Sequence, residues 1–219
     1  MSKENEETLK VYESFGSAYL DNAHKRHAKN MQEVREKKAR TILDGFSALG
    51  KNAKILEIGS ADGEVALLAK ELGFNVTASD VSKQFLAEII KTGLPYFKFN
   101  VLKDNLDGLE FDGIMAFHVF VHFTPEDLSE ALAKIYRLLR PGGRFIGDAL
   151  NSEDKNGKVS EWCDFGNGYE IGAGRFFYYY NETQIKKIIE DSSLILENFY
   201  LSGGDNDRKW INFVLAKPE

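Results

Sequence analysis

Two carboxylates stand where a protein could hold a positively charged ligand. Glu57 lies in a short apolar run that Gly59 ends, and Asp80 closes the next such run. Gly59 permits a sharp turn, and Gly63 lets a helix start close to a ligand. A carboxylate about twenty residues beyond such a turn can accept hydrogen bonds from two ribose hydroxyls. The spacing therefore predicts a nucleoside site.

The charges of the same loop indicate which nucleoside. Glu57, Asp62 and Glu64 surround the predicted helix start, where a dinucleotide would place its pyrophosphate. Ala61 and Glu64 also occupy positions where a dinucleotide fingerprint starting at Gly59 has glycine. Like charges repel, so the loop disfavours nicotinamide and flavin dinucleotides. It favours S-adenosylmethionine, which carries an ammonium and a sulfonium and has no phosphate. The alternative is that these acids are only solvated loop residues and helix N-terminal charges.

The elements that position these residues follow from hydrophobic periodicity. Short apolar runs alternate with amphipathic segments, which predicts a parallel sheet with helices on both faces. The predicted strands are 54–58, 74–79, 96–100, 111–117 and 144–150, and the predicted helices are 63–72, 82–90 and 125–139. Near the C-terminus a helix ending at Asp191 precedes strands 194–201 and 209–217. Only a turn cluster joins these two strands, so they should pair antiparallel.

Four segments in this order resemble the class I S-adenosylmethionine-dependent methyltransferases. They read ILEIGSADGEVALLAKELG at 55–73, TASDVS at 77–82, FDGIMAFHVFVHF at 111–123 and RLLRPGGRF at 137–145. The resemblance covers nearly the whole chain and implies an α/β fold in a single domain, 1–219. Its Rossmann-like, doubly wound, seven-stranded mixed sheet would be mostly parallel, with one antiparallel strand near the C-terminus. The implied cofactor is S-adenosylmethionine, and the implied product is S-adenosylhomocysteine.

The resemblance also assigns residues to the cofactor. The implied cofactor-binding set is Glu57, Gly59, Ser60, Ala61, Gly63, Asp80, Val81, Asn100, Val101 and Phe117. Ala61 departs from the family pattern because it replaces the middle glycine of the loop. Alanine is tolerated there if its φ is negative, and we expect a functional loop on that basis. A positive φ would introduce strain that counts against binding.

Two histidines beyond the fourth predicted strand are candidate catalytic residues. Neutral imidazole titrates near physiological pH, so His118 or His122 could act as a general base if the acceptor must lose a proton. A single helical turn would put both on one face. The alternative is that His122 only packs or hydrogen-bonds beside the loop. No metal site is predicted, because no third ligand accompanies the pair.

Two segments are predicted to cover the acceptor: an N-terminal helical cap, 1–48, and an insertion, 151–180. The predicted acceptor-binding residues are Tyr12, Tyr19, Arg175 and Tyr178, with Trp162 and Tyr169 nearby in the insertion. Aromatic walls and one guanidinium would suit a small, partly apolar acceptor bearing a carboxylate or phosphate. The alternative is that the aromatic run 176–180 forms an extra strand and simply packs on the core.

Composition narrows the function further. The 219 residues carry a net charge of −6, which disfavours nucleic acid as a partner. The basic stretch from His24 to Arg40 is interrupted by acids and predicts a solvated helix. The single cysteine, Cys163, suits a reducing cytoplasm and has no recognisable base beside it. No signal peptide or membrane span is expected.

These features predict a cytoplasmic methyltransferase, monomeric or homodimeric, that acts on O or N of a small molecule by in-line displacement. Three alternatives stay open. The first is a tRNA or protein methyltransferase, and the second is a non-catalytic, S-adenosylmethionine-binding regulatory protein. The third is a nicotinamide oxidoreductase, which the loop carboxylates disfavour.

Overall fold

The computed structural model describes residues 1–27, 31–153, 155, 158–164, 174–203 and 208–219. The strands are β1 Lys54–Ile58, β2 Asn75–Asp80, β3 Tyr96–Lys98, β4 Phe111–Ala116, β5 Leu139–Asn151, β6 Ser160–Asp164, β7 Gly174–Tyr180, β8 Ile195–Gly203 and β9 Lys209–Ala216. The helices are α1 Lys3–His27, α2 Met31–Gly45, α3 Glu64–Glu71, α4 Lys83–Lys91, α5 Pro125–Leu138 and α6 Glu182–Glu190. A short 3-10 helix spans Phe120–His122.

The sheet has the predicted mixed topology. Strands β3, β2, β1, β4 and β5 follow one another in that spatial order, and all pair in parallel. Strand β9 pairs antiparallel with β5, from Arg144 opposite Ala216 to Leu150 opposite Trp210. Strand β8 pairs antiparallel with β9. The seven predicted strands are therefore present, and the single antiparallel strand near the C-terminus is confirmed.

Two further strands lie in the 151–180 insertion. Strands β6 and β7 pair antiparallel as a hairpin, and β7 also pairs in parallel with the end of β5 through Tyr179 and Tyr180. Strand β7 contains the aromatic run 176–180, whose side chains alternate between the two faces of the hairpin. The alternative interpretation of this run as an extra strand is thus confirmed, and the described residues form a sheet of nine strands.

Local sequence signals fix the helix ends. Thr124 accepts a hydrogen bond from the Asp127 N–H at 3.3 Å, and α5 begins at Pro125, where the predicted helix 125–139 begins. Asn181 and Gln184 form a capping box at the start of α6. Helix α5 ends at Leu138, and β5 begins directly at Leu139. The strand therefore includes the Pro-Gly-Gly segment that the sequence placed before it.

Helices pack on both faces of the sheet, as predicted. One apolar core lies between the sheet and helices α5 and α6, and contains Leu132, Ile135 and Ile185. The other lies beneath α2, α3 and α4, and contains Ile42 and Ile89. Among the described residues, no helix is both long and apolar enough to cross a membrane.

This topology defines where a ligand can bind. From β1 to β3, each new strand lies further toward one edge of the sheet, whereas β4 and β5 lie on the other side of β1. The direction in which strands are added therefore reverses between β1 and β4. Ligands of open parallel sheets bind at the carboxyl ends of the strands at such a reversal. The loops after β1, β2, β4 and β5 form this edge, which we call the strand-end crevice.

Candidate functional site

The loop after β1 is held tightly against β2. The backbone N–H groups of Gly59 and Ser60 both donate to the Ser79 carbonyl at 2.9 Å, and the Gly63 N–H donates to the Ser60 carbonyl at 2.7 Å. Gly59 has φ +74°, and a Cβ there would lie 2.5 Å from Cγ2 of Val119. Glycine is therefore required at position 59 by both backbone conformation and close approach.

Ala61 adopts the left-handed conformation, with φ +49°. The expectation of a negative φ was therefore wrong. A left-handed alanine costs about 1–2 kcal/mol, because its Cβ crowds the backbone. The Ala61 N–H donates to Asp80 Oδ2 at 3.0 Å. Since hydrogen bonds to charged groups are the strong ones, this bond offsets the strain and keeps the loop in place.

Asp80 ties the loop to the next helix. Its side chain is buried, with 5% of the residue's surface exposed. The Oδ1 atom accepts from the Ser82 N–H at 2.9 Å, while Oδ2 accepts from Ala61. Burial raises the pKa of the Asp80 carboxyl to about 6. Each carboxylate oxygen can accept more than one hydrogen bond, so Asp80 can also receive ligand hydroxyls.

Glu57 is the most unusual carboxylate of the crevice. It is 3% exposed, and its Oε2 atom has no hydrogen-bond partner among the described residues. Burial raises the pKa of its carboxyl to about 7, and a side-chain hydrogen bond with Ser60 and the charge of Lys38 partly oppose that rise. A buried acceptor without a donor is costly and is normally satisfied by something. Glu57 therefore fits a ligand that brings a cationic donor, such as an ammonium.

Lys38 reaches into the crevice from α2. Its Nζ atom lies 3.7 Å from the centroid of the Phe117 ring, at the end of β4. Burial lowers the pKa of the Lys38 ammonium, and the charges of Asp148 and Glu57 oppose that effect. The solvated-helix prediction is confirmed for Lys37, which is exposed, but it was wrong for the half-buried Lys38.

His118 is held by a buried carboxylate of the neighbouring strand. It has φ +61°, and its N–H donates to Asp148 Oδ1 at 2.6 Å. Its Nδ1 lies 3.3 Å from Asp148 Oδ2, and its ring centroid lies 4.2 Å from that of Trp210. Asp148 is 2% exposed, whereas half of the His118 side chain is accessible. Backbone strain of this kind occurs preferentially at functional sites.

His122 faces different partners, so the two histidines do not share one face. Its Nδ1 lies 2.6 Å from the Phe176 carbonyl oxygen, and its Nε2 lies 2.9 Å from the Tyr12 hydroxyl. A carbonyl only accepts, so Nδ1 carries the proton and Nε2 accepts from Tyr12. Burial lowers the pKa of His122 to about 3. This geometry favours the packing alternative and leaves His118 as the candidate base.

Three of the four predicted acceptor-binding residues converge. The Arg175 guanidinium donates to the Tyr12 hydroxyl at 3.1 Å, and its central carbon lies 5.6 Å from the Tyr12 ring and 5.4 Å from the Tyr19 ring. Tyr178 is separate: it alternates to the other face of β7 and packs against Tyr180, with ring centroids 4.6 Å apart. Tyr169 lies outside the described residues.

The N-terminal helix lies beside the strand-end crevice. The Thr8 hydroxyl accepts from the Phe176 N–H at 2.9 Å, and the Ser82 hydroxyl lies 3.5 Å from the Tyr12 carbonyl. The Lys83 N–H donates to Glu13 at 2.8 Å. Helix α1 is thereby tied both to β7 and to the start of α4, which is the position expected of a cap.

The remaining residues that were predicted to contact the cofactor differ in what their side chains contact. The Asn100 side-chain oxygen accepts from the Leu102 N–H at 2.9 Å, so it closes its own turn. Val101 is buried in the core, and Val81 directly follows Asp80. The Ser60 hydroxyl accepts from the Ser79 N–H at 3.1 Å and therefore supports the loop.

The sequence reasoning missed Lys38, Asp148 and Trp210. Asp148 offered a signal, because it is an acid near the end of a predicted strand, as Glu57 and Asp80 are. Lys38 offered none, since it lies within a run of similar charges. Trp210 is near the site only because β9 returns beside β5.

The chain is similar to known proteins in sequence and in fold. A family model described as a methyltransferase domain matches residues 29–194. The chain is 30% identical over 128 residues to an S-adenosyl-L-methionine-dependent Diels-Alderase of Talaromyces variabilis, covering 53% of this chain and 41% of that protein. It is 34% identical over 115 residues to a demethylmenaquinone methyltransferase of Chlorobaculum tepidum, covering 50% and 44%. The alignments thus span less than half of the length of either relative.

A solved structure extends the likeness to the whole fold. Magnesium protoporphyrin IX methyltransferase from Synechocystis PCC 6803, with bound S-adenosylmethionine, matches with a TM-score of 0.73 at 12% identity. The match covers 99% of this chain and 98% of that one. At this identity the match shows the fold alone. The unsatisfied Glu57 oxygen and the buried Asp80 are acceptors of the kind that an ammonium and ribose hydroxyls need.

Proposed function

Because the chain belongs to the class I S-adenosylmethionine-dependent methyltransferases, we propose that it methylates an oxygen or nitrogen of a small molecule. The observation that supports this most is the buried Glu57, whose Oε2 lacks a donor among the described residues beside a glycine turn. Bound S-adenosylmethionine supplies an activated methyl group, which a nucleophile takes by in-line displacement to leave S-adenosylhomocysteine. The protein contributes by holding donor and acceptor in line and excluding water.

The cofactor-binding roles follow the chemistry of the crevice. Glu57 accepts from the cofactor's ammonium, and Asp80 accepts from the ribose hydroxyls while keeping its backbone donors. The left-handed turn at Gly59 lets the backbone approach the ligand closely. Asn100 and Val101 border the adenine, and Phe117 borders the methionine part. Ser60, Ala61, Gly63 and Val81 act through their backbone, because the loop depends on their conformation.

The acceptor site is formed between α1 and the β6–β7 hairpin. Tyr12, Tyr19 and Arg175 place a guanidinium among aromatic rings, an arrangement that suits a flat or partly apolar molecule with an anionic group. The demethylmenaquinone and magnesium protoporphyrin IX methyltransferases are both named for small-molecule substrates. Their similarity supports a small acceptor here over a tRNA or protein.

We propose His118 as the base for acceptors that must lose a proton. Asp148 contacts the His118 ring at Nδ1, so Nε2 is the ring nitrogen that takes the proton from the acceptor. The same carboxylate would stabilise the imidazolium that forms. His122 is not used, because both of its ring nitrogens are engaged within the protein. An acceptor that is already deprotonated needs only positioning.

The test is a transfer assay with methyl-labelled S-adenosylmethionine and a panel of small phenols, amines and acids, followed by mass spectrometry. We expect a methylated small molecule. His118→Ala should lower its rate at neutral pH far more than Arg137→Ala, an arginine in the last turn of α5 outside the crevice. Transfer only to tRNA or protein would overturn the acceptor class. S-adenosylhomocysteine binding with no transfer would favour a non-methylating role, which matters because one relative is named a Diels-Alderase.

A further inference from the structure

Arg208 places a second guanidinium beside the acceptor site. It directly precedes β9, and its central carbon lies 5.1 Å from the centroid of the Phe177 ring. Arg175, two residues before Phe177 on β7, has its central carbon 5.3 Å from the same centroid. Arg208 is half-buried, and Phe177 is only 3% exposed. Two like charges therefore lie near one buried aromatic ring, although they repel each other.

The charge of Arg208 is not matched by an acid. No carboxylate in the described part of the chain comes within the 4.0 Å of an ion pair with its guanidinium. Glu161, on the neighbouring strand β6, is bound instead by Lys158 and by the Tyr179 hydroxyl. A cleft lined by charges of one sign attracts ligands of the opposite sign, so these surroundings favour an anion.

The buried His122 feels both guanidiniums. Burial lowers the pKa of His122 to about 3 against the opposing hydrogen bond with the Phe176 carbonyl, and the charges of Arg175 and Arg208 lower it further. His122 therefore stays neutral at physiological pH and adds no charge of its own. The positive charge at this end of the site comes from the two arginines.

Aromatic rings connect the two arginines to the proposed base. Trp210, two residues after Arg208, packs against the small apolar cluster that contains Phe177. The ring centroid of Trp210 lies 4.2 Å from that of His118. The site thus runs from His118 at one end, along aromatic rings, to two guanidiniums at the other end. Guanidiniums recognise carboxylates and phosphates through paired N–H donors.

We infer that Arg175 and Arg208 together bind an oxyanion of the acceptor, a carboxylate or phosphate that is remote from the atom to be methylated. This inference depends on the proposed methyl transfer to a small molecule, and it narrows the class of that molecule. The acceptor has a flat, partly apolar body, with its nucleophile at one end and its anionic group at the other. Arg208 is then a specificity-determining residue that distinguishes anionic acceptors from neutral ones.

The experiment compares probes that share an aromatic ring and differ in one substituent. Ligand-detected NMR would measure binding of benzoate, phenyl phosphate and benzamide to the full chain in the presence of S-adenosylhomocysteine. We expect both anions to bind, and Arg208→Gln to weaken them about 10-fold, as for loss of a hydrogen bond to a charged group. The affinity for benzamide should change by less than about threefold. Arg137→Gln, in the last turn of α5, is the matched control and should leave all three affinities unchanged.

The outcomes separate this inference from the proposed function. If the wild-type chain does not bind S-adenosylhomocysteine, the proposed function of the crevice fails. If it binds S-adenosylhomocysteine but neither anion, or if Arg208→Gln weakens all three probes equally, the inference alone is overturned. Tighter binding of phenyl phosphate would indicate a phosphorylated acceptor and tighter binding of benzoate a carboxylic acid, and either order upholds the inference. An unchanged affinity of Arg208→Gln for S-adenosylhomocysteine would check that the variant is folded.

Discussion

Replacing Gly59 with alanine should damage the cofactor loop through two separate effects. The left-handed backbone, with φ +74°, costs an alanine about 1–2 kcal/mol. The new Cβ would also lie 2.5 Å from Val119 Cγ2, and overpacking of this kind costs about 1–3 kcal/mol. The sum is a loss of about 2–5 kcal/mol in the free energy of unfolding, unless the loop moves. If the loop moves, the loss appears in cofactor affinity.

Gly73→Ala provides the matched control. Gly73 also has a positive φ, +100°, but a Cβ at this position would meet no other atom of the described residues within 4 Å. It should therefore show only the backbone cost. Urea unfolding of both variants, with and without S-adenosylhomocysteine, separates stability from binding, because the stabilisation that a ligand gives the folded state increases with its affinity.

A second substitution tests the proposed clash directly. Val119→Ala removes the Cγ2 atom that the new Cβ would meet, so it should restore part of the loss in the Gly59→Ala background. The coupling energy should be about 1–3 kcal/mol in a double-mutant cycle. Equal losses for Gly59→Ala and Gly73→Ala, together with no coupling to Val119, would refute the reasoning.

Two further predictions concern the strained loop and the buried histidine. Ala61→Gly should stabilise the protein by about 0.5–1 kcal/mol in urea unfolding, because glycine relieves the left-handed strain at some entropic cost; a loss of stability would contradict the account. Tyr12→Phe should destabilise it by about 1–3 kcal/mol, because the His122 Nε2 would lose its buried donor. Tyr96→Phe, at an exposed tyrosine, is the control, and equal effects of the two changes would contradict the assigned hydrogen bond.

The fold could be predicted largely because its signals are local. Apolar periodicity located the strands of the central sheet, and the helix predicted to begin at residue 125 does begin there as α5. The third strand was predicted to extend to residue 100, but β3 ends at Lys98. Strand β7 was predicted only as an alternative, the extra strand of the aromatic run 176–180, and β6 was not predicted.

The site was less accessible to prediction because it depends on distant parts of the chain. Glu57 and Asp80 could be located, since strand ends of a parallel sheet meet at one edge. The inward turn of Lys38 depends on how α2 packs, and the sequence around it shows only repeated charges. The sign of φ at Ala61 depends on the Asp80 carboxylate, which tertiary structure brings to its N–H.

The central claim is that the buried Glu57, whose Oε2 atom has no hydrogen-bond partner among the described residues, receives the ammonium of S-adenosylmethionine. Its raised pKa, about 7 against an unfolded value of 4.5, means that the protonated carboxyl favours folding at low pH. That contribution is lost as pH rises from about 4.5 through 7. The ammonium pairs with the deprotonated form, so ligand binding near neutral pH should release a proton.

Calorimetry of S-adenosylhomocysteine binding at pH 7, in buffers of different ionisation enthalpy, measures this proton directly. The wild type should release about half a proton from Glu57, because its pKa lies near the working pH. Glu57→Gln should lose that release and bind more weakly, whereas 5′-methylthioadenosine, which has no ammonium, should bind both proteins alike. Equal proton release and equal affinity for S-adenosylhomocysteine in wild type and Glu57→Gln would contradict the account.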